Sequence, residues 1–256
     1  MESGEELRQA VRAYWNEHIH DLEIAKSPLG SPGFFRELEA YRYDKLRYLP
    51  AIVDADGLSG TRLLEIGCGV GTDLARFARA GASTVGIDLA ETAVDLARQN
   101  FQLQGLPGEL RVMDGEELEW ADETFDLVYA HGVLQYTVDP VRMIQEMHRV
   151  LKHGGRAVVM MYNRRSWLRW VSRWSRVQLE HEEAPVYRQV TLAELQRLLS
   201  PFQAVTILPE RFPVPTRLHS GFKAALYNQV FVRAFQWVPR RWVRPLGWHL
   251  VGFARK

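Results

Sequence analysis

Three short stretches hold residues whose types and spacing bear on chemistry. The first is EIGCGVG, residues 65–71, where Gly67, Gly69 and Gly71 stand between an apolar run and a helical pattern. Glycines at such a place let the backbone turn tightly and approach a ligand at a helix N-terminus. A dinucleotide fingerprint, G-x-G-x-x-G, needs glycine at position 72, which is Thr72. The spacing is therefore G-x-G-x-G, and a plain strand-to-helix turn stays open as an explanation. The second stretch ends in Asp88, 17 residues beyond Gly71. A carboxylate at that strand end accepts both hydroxyls of a ribose, although Glu91 three residues later makes helix capping a competitor. The third ends in Asp114, followed by Gly115 and Glu116. It suits either the amino group of an adenine ring or an ordinary turn.

The elements that must position these residues alternate. Apolar runs at 61–67, 83–89, 108–114, 125–131 and 156–162 read as strands, with helical patterns at 71–80, 91–104 and 139–151 between them. Asp139-Pro140 suits a helix start, and Gly154 or Gly155 a left-handed helix end. Crossovers of this length imply a parallel sheet with helices on both faces. Two helices, 5–26 and 34–52, precede the alternation. After Tyr162 it is interrupted at 163–190 and 213–247, around a helix at 191–200 and strands at 204–212 and 248–256. Three regions are expected: a helical lid over 1–56, a ligand-binding core over 57–162, and a region over 163–256 that completes the sheet and carries the two insertions.

Residues 61–162 resemble class I S-adenosylmethionine-dependent methyltransferases. More narrowly, they are similar to the group that includes ubiquinone/menaquinone-biosynthesis enzymes and many natural-product methyltransferases. The resemblance lies in LLEIGCGVGTDLARFARAGASTVGIDLAETAVDLAR, VMDGEEL, FDLVYAHGVLQYTVDP and EMHRVLKHGGRAVVM, in that order. It implies a Rossmann-like α/β fold with a seven-stranded, mostly parallel sheet whose last strand runs antiparallel. It implies S-adenosyl-L-methionine as methyl donor and S-adenosyl-L-homocysteine as product. By resemblance, Glu65, Gly67, Cys68, Gly69, Gly71 and Thr72 surround the methionine portion. Asp88 binds the ribose, Leu89 packs on adenine, and Met113, Asp114 and Gly115 meet the adenine edge. His131 lines the pocket near the sulfonium. Many relatives carry a histidine where this chain has Gln135 and Tyr136, so that base does not carry over.

Methyl transfer from a sulfonium is an in-line displacement, in which alignment of the nucleophile supplies on the order of 7–11 kcal/mol. Groups expected to touch the acceptor or its proton lie outside the core strands. They are Tyr14 in AYWNEHIHD, Tyr136, and His181, which neighbours Glu182 and Glu183 and is expected to act as a base with a raised pKa. The competing interpretations are a core-packing tyrosine and a solvated charge run. Arg42 is expected to pair with the donor's carboxylate, against a solvated helix face. His148 and His153 read as structural.

Composition narrows the function classes. The 256 residues are 25% charged and 46% apolar, with a net charge of +1 and one cysteine. A disulfide scaffold and a structural zinc cage are excluded, and no metal site is expected. The acidic N-terminus lacks an apolar signal core, so a cytoplasmic location is expected. From Arg164 to Lys256 there are sixteen Lys+Arg against five Asp+Glu, together with six of the eight tryptophans. Trp167, Trp170 and Trp174 share a helical face flanked by Arg165, Arg169, Arg173 and Arg176. This basic segment is expected to cap an acceptor pocket. Its second reading is peripheral contact with an anionic membrane, and its third is RNA binding, with nucleic acid disfavoured. The expected activity is methylation of an O or N atom of a small, partly apolar or aromatic acceptor. The alternatives are an RNA or protein methyltransferase and a non-catalytic binder of the donor. Thr72 and the lack of a second substrate domain disfavour a dehydrogenase.

Overall fold

The computed structural model describes residues 4–19, 21–52, 57–175, 179, 181–214 and 225–256. Seven strands form one sheet in the order β3-β2-β1-β4-β5-β7-β6. They are β1 (Arg62–Ile66), β2 (Ser83–Asp88), β3 (Glu109–Val112), β4 (Phe125–His131), β5 (Leu151–Tyr162), β6 (Gln203–Glu210) and β7 (His249–Arg255). The first five pair in parallel, and β7 runs antiparallel to both of its neighbours. The strand order and pairing agree with the Rossmann-like expectation.

Side-chain alternation within continuous apolar strands explains the two layers. Leu64 and Ile66 face a core that receives Met143, Ile144, Met147 and Val150 of helix α6 (Pro140–Val150). Leu63 faces the opposite core, filled by Leu74, Phe77 and Ala78 of helix α4 (Thr72–Arg79) and by Phe101 of helix α5 (Glu91–Gln104). Helix α6 starts as its sequence suggests. Asp139 accepts from the N–H groups of Val141 and Arg142 at 3.0 Å each, and Pro140 occupies the first turn. Thr191 and Glu194 form a reciprocal capping box on helix α8 (Leu192–Leu198).

Three element boundaries differ from the expectations. The first helix, α1, spans Gly4–Glu17 rather than 5–26. Its apolar stripe ends near Tyr14, and Asp21 takes a left-handed φ of 61° that turns the chain into a short 3-10 segment, Leu22–Ile24. The second helix divides into α2 (Pro32–Lys45) and α3 (Leu49–Ile52). Ser31 caps α2 through the Phe34 N–H at 3.2 Å, so the helix begins before Phe34. Gly154 is left-handed, at φ 74°, but it lies inside β5 and ends no helix. Helix α6 already stops at Val150 because Leu151 pairs with Phe125. The region 163–190 holds helix α7 (Trp167–Ser175), and 213–247 holds a π-helical turn (Tyr227–Phe231) and helix α9 (Val232–Trp237). His20, Arg176 and residues 215–224, which the sequence expectations touch, lie outside the described residues.

Asp139→Ala removes both cap bonds of α6 and is expected to cost about 1 kcal/mol, read as a lowered urea midpoint with an unchanged slope.

Candidate active site

A cavity of about 230 Å³ opens at the carboxyl ends of β1, β2 and β4 and is roofed by α1 and α2. Such a crevice outside the strand ends is where open α/β sheets place ligands. Glu65, Gly67, Cys68, Gly69, Thr72, Asp88, Leu89, Met113, Asp114, Gly115, His131 and Arg42 line it, as expected for a donor site. Gly71 does not. It is left-handed at φ 76°, and a Cβ there would stand 3.2 Å from the Ala97 side chain, so its glycine serves the packing of α4 on α5. At Gly69 a Cβ would meet nothing within 4 Å, leaving open space beside the loop.

Asp88 does not cap α5, whose N-cap is Ala90 and lacks a side-chain bond. Its two oxygens accept from the N–H groups of Ala90 and Gly69, each at 2.9 Å, which ties the glycine loop to the start of α5. Burial raises the pKa of Asp88 despite those bonds. Asp114 takes the turn role that its sequence position allows and also faces the cavity. One oxygen accepts from Glu116 N–H at 2.9 Å in a turn, while the side chain lines the cavity. Burial raises its pKa as well. Arg8 of α1 reaches both acids, with Nη2 at 2.9 Å from Glu116 and Nε at 3.6 Å from Asp114.

The floor holds an ion pair that sequence reading missed. Arg42 donates through Nε to Asp73 Oδ1 at 2.7 Å and through Nη2 to Oδ2. Tyr43 at 3.1 Å and Tyr129 at 2.9 Å also donate to Asp73. Arg42 is thus committed to Asp73 rather than held ready for a ligand carboxylate. Burial alone would raise Asp73, but Arg42 and its other donors hold it down at about 2. Beside it, burial and the Asp73 charge push Glu65 well above the carboxylate range. Glu65 Oε2 is buried without a hydrogen-bond partner. The sequence signal for Asp73 was its place in the first turn after the glycine loop. The signal for Tyr129 was its alternation with His131 on β4.

The proton-handling candidates separate. Tyr136 lines the cavity and its hydroxyl meets that of Tyr162 at 3.3 Å. Tyr14 and His181 do not line it. Tyr14 Oη lies 3.0 Å from His181 Nδ1 and donates to Glu183 at 3.1 Å. Burial and Glu183 push the Tyr14 hydroxyl up to about 12. The His181 ring packs behind Trp15, 4.8 Å between centroids, and Trp15 reaches the cavity. The two therefore brace the roof. Gln135 is fully buried and also off the cavity wall. Among the described residues, none of the Trp-rich helix lines the cavity. Trp167 is buried against Phe231 and Phe235 and donates to the Arg211 carbonyl at 2.9 Å. In its place, Arg211 and His249 join His131, Tyr136, Met160 and Tyr162 at the end of the cavity away from Asp114. Neither Arg211 nor His249 has a sequence motif around it.

Comparison with known proteins fits this geometry. Residues 64–159 match the methyltransferase domain family. Those residues are a methyltransferase domain of the S-adenosylmethionine-dependent class. The domain is 39% identical over 103 residues to a phosphatidylethanolamine N-methyltransferase of Cereibacter sphaeroides, covering 40% of this chain and 50% of the relative. A ubiquinone biosynthesis O-methyltransferase of Ruegeria pomeroyi is 33% identical over 155 residues, covering 54% and 62%. The chain thus spans one half to about three fifths of the length of these relatives. Among solved structures, a SAM-dependent methyltransferase from Thermotoga maritima superposes with a TM-score of 0.57 at 22% identity, covering 87% of this chain and 98% of its own. The [4+2]-cyclase SpnF superposes with a TM-score of 0.60 at 20% identity, covering 98% and 96%. Both show the shared fold alone, on which unrelated chemistries occur.

The residues of the methyltransferase domain fit its donor. The unpartnered buried oxygen of Glu65 suits an ammonium group, and the space beside Gly69 admits a ligand against backbone. Asp88 and Asp114 follow along the strand ends, as a ribose and an adenine require.

Asp73→Asn leaves Arg42 buried without its counter-charge and is expected to cost about 3–5 kcal/mol, measured by chemical denaturation. Because the folded Asp73 pKa lies below that of the unfolded chain, its contribution is present above the unfolded value near 3.8. It is lost as the pH falls through about 2. The stability difference between native and Asp73→Asn chains is expected to shrink across that window and nowhere above it.

Proposed function

We propose that this chain transfers a methyl group from S-adenosylmethionine to an O or N atom of a small, partly apolar or aromatic acceptor. The observation that carries this is the row Glu65, Asp88, Asp114 along one cavity wall, with the Glu65 oxygen unpartnered and buried. When bound, the donor supplies an activated methyl on a sulfonium. The chain's own residues do the rest. Glu65 and the glycine loop hold the amino-acid end, and Asp88 and Asp114 fix the nucleoside. Val11 and Trp15 of α1, with Leu38 of α2, shut out water from above. Tyr136, Met160 and Tyr162 supply an apolar, aromatic seat for the acceptor. Holding two reactants in line is the main contribution such a site makes.

A second element of the proposal concerns where the protein works. Among the described residues no helix is long and apolar enough to cross a membrane. Trp170, Trp237 and Trp242 are nonetheless 73%, 89% and 67% exposed, amid a segment rich in arginine. Exposed tryptophans beside arginines support a peripheral seat at an anionic bilayer, from an otherwise cytoplasmic protein. This also suits an acceptor with an apolar body.

Asp88→Ala is expected to weaken S-adenosylmethionine binding at least tenfold by calorimetry; unchanged affinity would refute the ribose assignment. Trp237→Ala with Trp242→Ala is expected to reduce co-sedimentation with phosphatidylglycerol vesicles severalfold, while S-adenosylmethionine affinity stays constant. Equal co-sedimentation would remove the membrane element.

A further inference from the structure

A second cavity, of about 150 Å³, lies at the other end of the sheet from the donor site. Ile52, Leu127, Val158 and Phe253 give it an apolar wall, and Arg156 and Arg255 are the charged side chains that line it among the described residues. Arg156 pairs with Leu127 near the start of β4, whereas the donor cavity opens at His131, where β4 ends. Along β5, Arg156 stands six residues before Tyr162. That separation is about 20 Å of extended strand. The two cavities are therefore distinct.

Arg156 and Arg255 stand directly opposite each other in the antiparallel register of β5 and β7, so both side chains leave the sheet on one face. Cβ atoms so placed are about 5 Å apart, and like charges there weaken the pairing. The surrounding strands do not offset them. Leu127, on the far side of Arg156, and Gln203, on the far side of Arg255, carry no charge. Strands β5 and β7 contain no acidic residue, and the one acid of β6, Glu210, sits opposite His249 at the other end. Asp126, next to Leu127, already accepts from Lys152 Nζ at 2.8 Å and from the Arg62 N–H at 2.9 Å. Among the described residues neither arginine has an ion pair or a side-chain hydrogen bond. Other basic groups at this end are engaged: His153 with Glu123 at 2.9 Å, and Lys256 Nζ with the Arg149 carbonyl at 3.2 Å.

We propose that this cavity is a second binding site and that it takes a phosphate monoester carried on a small apolar stem. The two guanidinium groups share the phosphate, whose charge of about −1.5 to −2 at neutral pH offsets both of theirs. Its oxygens accept from two guanidinium forks at once, the geometry in which arginine binds phosphate best. A singly charged carboxylate would leave one of the two arginines uncompensated. The apolar wall receives the stem. A cavity of this size holds about one benzene ring, which sets the scale of that stem. On the β6 side the cavity is bordered by Ala204, left-handed at φ 48° within a bulge, an edge distortion of the kind that occurs beside sites. Both arginines are exposed, so the phosphate end stays open to solvent. The same chemistry can therefore come from a soluble ester or from a lipid headgroup. The inference stands apart from the methyl-transfer reading.

The test titrates phenyl phosphate into the full chain by calorimetry, at low salt in a phosphate-free buffer, with and without S-adenosylhomocysteine. Phenyl phosphate is expected to bind at millimolar concentration or below, equally in both conditions, and severalfold more tightly than inorganic phosphate. Arg156→Gln with Arg255→Gln is expected to weaken it at least tenfold. Arg255→Glu sets an acid opposite Arg156, which favours the strand pairing, and is expected to abolish binding in a chain at least as stable as the native one. Thermal midpoints report that the variants are folded. No binding at millimolar concentration, competition by S-adenosylhomocysteine, or unchanged affinity in a folded variant would overturn the proposal. Equal affinity for phenyl phosphate and inorganic phosphate would mean an adventitious ion only, and would overturn it too. If neither variant folds, the comparison of the two phosphates and the effect of S-adenosylhomocysteine decide in the native chain. Co-sedimentation with vesicles of phosphatidic acid in phosphatidylcholine separates the two sources. A loss confined to the double variant supports a lipid headgroup, and equal sedimentation beside phenyl phosphate binding supports a soluble ester.

Discussion

The buried pair between Arg42 and Asp73 is the constraint on which the site depends. It joins three elements that the sequence keeps far apart: helix α2 of the roof, helix α4 behind the glycine loop, and strand β4 through Tyr129. Two charges taken out of water are tolerable only with good geometry and satisfied remaining lone pairs. Asp73 meets that condition by accepting from Arg42 twice and from Tyr43 and Tyr129 once each. The pair also sets the electrostatics around it. Burial first, and then the Asp73 charge, push the Glu65 pKa up, while burial and then the Arg42 charge push His131 down to about 3.

The consequence is a cavity with two different ends. Toward β2 and β3 it presents carboxyl groups, and toward β7 it presents imidazoles and guanidinium groups. Burial keeps these groups from being screened as they would be in solvent. Met160, Tyr136 and Tyr162 share the second end with the imidazoles.

Much of the architecture was legible in the sequence because it depends on local signals. Strand runs, the Asp139-Pro140 start, and the order of glycine loop, Asp88 and Asp114 each occupy a few consecutive residues. The Arg211–His249 end of the cavity was not legible for the opposite reason. Tyr48, Arg211 and His249 stand far apart in sequence and are brought together only by the antiparallel return of β7, which sets Tyr162 opposite His249 and Glu210 opposite the same residue. No short-range spacing encodes that encounter. Tyr14 and His181 misled because their residue types suit proton transfer, whereas the fold uses them as each other's partners behind Trp15. Gly71 misled because a glycine required by φ and by Ala97 looks, in sequence, like one required by a ligand.

The roof over this cavity is held in a way that suits ligand entry. Helix α1 is fastened at Arg8 to Glu116, at Asn16 to Thr92, and at Tyr14 to His181 and Glu183. These contacts are partly exposed, and bonds of that kind typically contribute about 0–1 kcal/mol each. Val11 is the one residue of α1 that is fully buried. The contacts of α1 are thus mostly polar and peripheral, whereas the Arg42–Asp73 pair lies beneath α2. The distances at Arg8 refine this. The guanidinium is closer to Glu116, at 2.9 Å, than to Asp114, at 3.6 Å. Its anchor is the acid that borders the adenine end, so the carboxylate assigned to adenine stays available while the helix is closed.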